Sequence, residues 1–169
     1  MNKKLITQAT TKYLSGVLLV SLLLFIPAGT INYFNAWLLM GILFLPIAIV
    51  GIILMVKNPG LLEKRLNAKE KEAGQKTVIT ISSLMFLVGF IIAGLDFRFQ
   101  WSTIPQWVVT IAAGIFLCSY LLFAAVLWQN EYLSRTIEIQ ENQHVIDTGL
   151  YGVVRHPMYT STLFLFISM

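Results

Sequence analysis

Charge is scarce in this sequence: of its 169 residues only 12 % are Asp, Glu, Lys or Arg. A chain so poor in charge cannot cover the surface of a soluble domain of its length, and 57 % hydrophobic residues leave nothing soluble to build. Cysteine is scarcer still. Cys118 stands alone inside an apolar run, so no internal disulfide can form and nothing points to an oxidising compartment. Histidine occurs twice, at His144 and His156, at no helical-pair spacing and with no cysteine near, so no metal centre is expected. No G-x-G-x-x-G opens a βαβ unit, and no Walker loop is present. The polar regions are too short for a defensible Ser-His-acid arrangement.

What is there is apolar sequence in long runs. The mean hydropathy is +0.75, and four stretches are long enough to cross a bilayer. They cover about 13–34, 35–56, 77–95 and 107–128. The expected fold is all-α: a single polytopic transmembrane helix bundle, with four full spans and the start of a fifth at 158–169. Lys3 and Lys4 ahead of an apolar core also suit a cleaved leader, but the cleavage site is poor and a second span follows at once. Pro46 is placed to kink the second span. Pro59 and Gly60 read as its end, and the charged stretch after it suits a short amphipathic helix on the membrane surface. Asp96 to Gln106 reads as a small loop with Trp101 as an interfacial anchor. The fourth span is expected to continue as helix past Asn130.

The net charge of +4 is set by position rather than by any nucleic-acid partner. With the N-terminus in the cytoplasm and four alternating spans, Arg98 is outside and the other eleven of the twelve basic residues are inside. That is the positive-inside pattern. It predicts an integral, multi-pass protein with its N-terminus and residues 140–159 on the cytoplasmic side.

The densest polar chemistry lies in QHVIDTGLYGVVRHPMY, from Gln143 to Tyr159. Gly149 and Gly152 allow a tight turn or a close approach to a ligand. Pro157 suits the first turn of a helix and forces the preceding residue to be extended. The reading is a loop ending at a membrane-helix N-terminus, whose unpaired N–H groups suit an anion. His156 and Tyr159, three apart, can share a face. Each residue also has a plainer reading. Arg155 suits a snorkelling anchor, His156 a helix-end cap, and Tyr151 and Tyr159 an interfacial aromatic belt. Their combination within a dozen residues favours function.

TGLYGVVRHPMY resembles the signature of the isoprenylcysteine carboxyl methyltransferase family and of the related phospholipid methyltransferases. NPGLLEKRL, LDFRFQWS and NEYLSRTIEIQENQHVIDTG are similar too, so the resemblance runs from the second span onward. It implies an S-adenosylmethionine-dependent membrane methyltransferase acting on a lipophilic or prenylated acceptor. By resemblance, Gln140, Gln143, His144, Val145 and Ile146 line the approach to the cofactor. Gly149 and Tyr151 follow, with His156, Pro157, Met158 and Tyr159 as the main cradle. Arg155, His156 and Tyr159 are the catalytic candidates.

The family continues with a further helix pair and a cytoplasmic tail carrying an acidic pair, an aromatic FG-x-x-Y-like stretch and an arginine. This sequence stops at Met169, so the expectation is an N-terminal part whose activity depends on the remainder.

Methyl transfer from a sulfonium requires no metal. A carboxylate acceptor needs no base, whereas a lipid amine must lose a proton first, and His156 and His144 are the only candidate bases. This favours carboxyl methylation over amine methylation. A non-catalytic membrane partner and a nicotinamide-dependent reductase of similar topology are the other readings. Membrane lipids surround the chain in every case, and the oligomeric state is left open.

Overall fold

The computed structural model describes residues 3–66, 73–130 and 146–169. Among them there is helix and no strand. The first helix, α1 (Lys3–Ala28), starts ten residues before the expected span. Its opening turns, KKLITQATTK, hold no Gly or Pro and several good helix formers, so hydrogen bonding begins outside the apolar zone. It stops at Gly29, whose φ of +69° suits glycine and whose N–H reaches the carbonyls of Phe25 and Ile26.

Residues 29–33 turn the chain into α2 (Phe34–Lys57), which runs through Pro46. Pro59 does not simply end that span. It opens α3 (Pro59–Leu66), with the Asn58 side-chain oxygen accepting the Leu61 N–H at 3.1 Å. An Asn cap followed by Pro is a helix start signal. The amphipathic helix expected after the second span is therefore present, packed against α2.

The next two helices are α4 (Ala73–Phe99) and α5 (Gln106–Gln129). Asp96 to Phe99, expected in a loop, is the last turn of α4, and the connection shrinks to 100–105. The fourth helix, expected to continue past Asn130, ends at Gln129 with Asn130 extended at φ −125°, and the residues that follow lie outside the described ones. At about 1.5 Å per residue the 24 residues of α2 or α5 make ~36 Å, enough for a ~30 Å hydrocarbon core. A four-residue turn, α6 (Leu150–Val153), precedes α7 (Pro157–Ile167). With 11 residues, α7 is too short to cross.

The bundle is ordered by its contacts: α4 on α1, α1 on α2, α2 on α5, and α5 on α7. Phe86 of α4 meets Phe166 of α7, with ring centroids 5.5 Å apart. The small core joins α1, α2 and α4. Leu24, Ala36 and Met40 are buried there, with Val17, Phe44 and Phe90 against them.

Most large apolar side chains face outward instead. Leu18, Ile26, Val56, Leu121 and Ile167 are each at least 60 % exposed. Four long apolar helices with lipid-like exteriors are what a bilayer requires.

One end of the bundle carries Lys3, Lys4, Lys12, Lys57, Lys64, Arg65, Lys76 and Arg155 at helix ends and in α3. The other carries Arg98. At that second end Tyr33 stacks on Phe97 at 4.0 Å and 16°. Burial pushes the Tyr33 phenol above its usual range, and the Asp96 carboxylate pushes it further.

Candidate functional site

The loop before α7 is docked on the end of α5 by two amides. Gln129 closes α5, a helix apolar for most of its length, and Asn130 is the extended residue just past its end. The Gln129 Oε1 accepts the Leu150 N–H at 3.0 Å, and the Asn130 Nδ2 donates to the Tyr151 hydroxyl at 2.8 Å. Neither amide was singled out in the sequence. Their partners lie 21 residues further on, so local spacing carries no trace of them.

Gly149 makes the close approach possible. Its φ of +60° with ψ −125° is a conformation L side chains rarely adopt, and a Cβ there would sit 2.8 Å from the Gln129 amide nitrogen. Two 3.2 Å turns follow, Tyr151 N–H to Thr148 O and Gly152 N–H to Gly149 O. They wind the chain through α6. Gly152 thus lies inside that short turn, not at a second bend.

The chain then extends through Val154 to His156 (φ −132°) and re-enters helix at Pro157, as the X-Pro rule requires. Pro157 and Ser161 are buried. Ser161 and Thr162 both donate to the Met158 carbonyl at 2.8 Å. Those hydroxyls satisfy themselves locally, so the first turns of α7 can press onto α5 without an orphaned polar group.

Arg155, His156 and Tyr159 point the other way and are exposed. The His156 and Tyr159 rings lie side by side, centroids 5.4 Å apart, so the shared face expected from their spacing is present. No side chain caps α7. The amides of Met158 and Tyr159 begin the helix beside those rings, where an anion would be favoured.

Ile146 and Met158 are half-buried. Gly149 and Tyr151 rest on the Gln129 and Asn130 anchors and Pro157 is buried, whereas Arg155, His156 and Tyr159 are exposed, with only the last two in ring contact. The other cofactor candidates, Gln140, Gln143, His144 and Val145, lie outside the described residues. Among the described residues no group of His, Cys, Asp and Glu could hold a metal ion.

The same end of α5 is tied to α2 and α3. The Lys57 ammonium lies 4.8 Å from the Trp128 ring centroid, and the Arg65 guanidinium 5.3 Å from that of Phe123. Such contacts contribute ~0.5–2 kcal/mol each. The platform on which the loop docks is thus braced from both sides.

No family model, no curated protein and no solved structure matches this chain. The fold by itself defines the class: a multi-pass, all-α membrane helix bundle with a polar loop docked at one end.

Proposed function

We propose that this chain is an integral membrane methyltransferase that uses S-adenosylmethionine to methylate the carboxylate of a lipophilic, isoprenylcysteine-like acceptor. The observation that carries the reading is the exposed face of TGLYGVVRHPMY. There the His156 and Tyr159 rings lie side by side at an uncapped helix N-terminus.

The residues present suit the cofactor. The N–H groups of Met158 and Tyr159 are where a methionine carboxylate would be held. The Tyr159 and His156 faces suit an adenine or a sulfonium, a cation–π contact of ~0.5–2 kcal/mol. When bound, the cofactor supplies a methyl group on a positively charged sulfur, open to in-line displacement.

The protein's own part is orientation. It holds the anion at α7, fixes the rings through the Gln129 and Asn130 anchors, and keeps the exposed Arg155 beside the approach of an anionic acceptor. A carboxylate needs no proton removed, so the lack of an assigned base is no obstacle. Alignment of this kind is worth up to roughly 7–11 kcal/mol of barrier. A site at the edge of the apolar bundle lets the acceptor arrive from the lipid and the cofactor from the aqueous side.

Two tests follow. Transfer of tritiated methyl from the cofactor to a prenylcysteine analogue is expected to exceed transfer to phosphatidylethanolamine. Phosphatidylethanolamine as the better acceptor would replace carboxyl by amine methylation, and transfer to neither, both by the chain alone and with a family-like C-terminal segment appended, would remove the enzyme reading.

The reading also requires the loop to be cytoplasmic, as the basic end of the bundle predicts. With Cys118→Ser as background, Lys3→Cys should be labelled from the cytoplasmic side and Thr103→Cys from the opposite side. Labelling of Lys3→Cys from outside would invert the protein and separate the loop from its cofactor.

A further inference from the structure

A cleft of about 520 Å³ opens between α1, α2 and α3 at the basic end of the bundle, away from the docked loop. Its walls are apolar, with Tyr13, Phe44, Ala48 and Met55 among them, and it is floored by two glycines. A Cβ at Gly51 would meet nothing within 4 Å, and one at Gly16 only the edge of Phe44 at 3.7 Å. The missing side chains leave a trough along the helices.

On α2 the trough runs from Phe44 to Met55, eleven steps of ~1.5 Å or about 17 Å. That is close to half of a ~30 Å hydrocarbon core, the depth of one leaflet.

Its mouth is cationic. Lys12 and Arg65 line it. The Lys12 ammonium donates to the Leu66 carbonyl at the end of α3, which pins it there and engages one of its three protons. Arg65 is half-buried, set over Phe123 on α5, so its planar fork is fixed in place as well. One turn further out along α1 the surface becomes polar, with a second hollow lined by Lys4, Thr7, Gln8 and Glu63. The sequence of environments is therefore apolar trough, cationic collar, polar rim.

We propose that this cleft is a binding site for one anionic phospholipid of the adjoining leaflet. One acyl chain lies along Gly16 and Gly51, the phosphate sits between Lys12 and Arg65, and a hydroxyl-bearing head group reaches Thr7 and Gln8. The Glu63 carboxylate at the rim disfavours a head group with a second negative charge there. The proposal is independent of the methyltransferase reading. It gives α3 a purpose: the bound lipid bridges α1 and α3, which touch each other little.

Native mass spectrometry of the whole chain in detergent tests it, with phosphatidylglycerol or phosphatidylcholine of identical acyl chains. One phosphatidylglycerol should be retained per chain, about tenfold more tightly than phosphatidylcholine. Lys12→Gln with Arg65→Gln should bring the two lipids level. Arg65→Lys should keep part of the preference, which shows that charge and not folding is being read. Gly51→Phe points into open space, so it should leave the melting temperature intact while abolishing retention of both lipids. Equal retention of the two lipids by the native chain would overturn the proposal. So would a preference that survives either the charge substitutions or Gly51→Phe.

Discussion

Gly94→Leu is expected to cause the largest loss of stability of any single substitution in the bundle, with even Gly94→Ala costing about 1–3 kcal/mol. A Cβ at Gly94 would lie 2.5 Å from the Leu24 carbonyl oxygen, 3.0 Å from the Pro27 Cβ and 3.2 Å from the Ala28 nitrogen. Two of these three are backbone atoms, so no rotamer change relieves the clash. Contact distances of ~3.5–4 Å would require α1 and α4 to part by about 1 Å. Leu24, fully buried in that interface, would be uncovered.

In lipid, helices associate through such close packing at small residues rather than through exclusion of water. At roughly 2–4 °C per kcal/mol, the alanine variant should melt several degrees below the parent in detergent. Gly89→Ala is the control. It lies on the same helix with nothing within 4 Å of the added carbon, and should be tolerated. Equal melting of the Gly94 and Gly89 variants would mean that α1 and α4 are not packed as described.

Gly149→Val should do the opposite, sparing the bundle and emptying the site. The backbone at φ +60° and ψ −125° costs a side chain ~1–3 kcal/mol, and the Gln129 amide must also swing away from the added carbon. When it swings, the Leu150 N–H loses its acceptor. The docking equilibrium constant of the loop falls by roughly 5- to 150-fold, and methyl transfer falls as undocked loop accumulates. The melting temperature should hardly move, because the loop contributes little to the helix packing. Gly152→Ala should be milder, since its Cβ meets a single atom, the Asp147 carbonyl, at 3.1 Å. A Gly149→Val variant with full activity would detach the loop from the chemistry.

These two glycines mark where the sequence is legible and where it is not. Hydropathy identifies the four spans because bilayer thickness sets a length that few other constraints imitate. It does not see where helices end. Lys3 to Lys12 and Asp96 to Phe99 are helical because nothing in them opposes helix, although they are too polar to count as span. Pro59 looks like a stop until Asn58 is recognised as a cap, which makes the same proline a start.

Gly94 is one more small residue in an apolar run until α1 is laid beside it. The loop was readable at Gly149 and Pro157, whose backbone restrictions are local. Its anchors were not, because Gln129 and Asn130 act on residues 21 positions away. The cleft was equally hidden, since Lys12, Gly51 and Arg65 meet only through the fold.

We propose that the loop before α7 binds S-adenosylmethionine through the His156 and Tyr159 face. The most direct measurement is equilibrium binding of radiolabelled S-adenosylmethionine to the purified chain in detergent, alongside His156→Ala and Tyr159→Ala. The predicted result is saturable binding of one molecule per chain, not displaced by NADPH. Each substitution should weaken it about tenfold, as loss of one ring contact worth ~1–2 kcal/mol implies. The contradicting result is displacement by NADPH, absence of saturable binding, or an affinity unchanged in both variants.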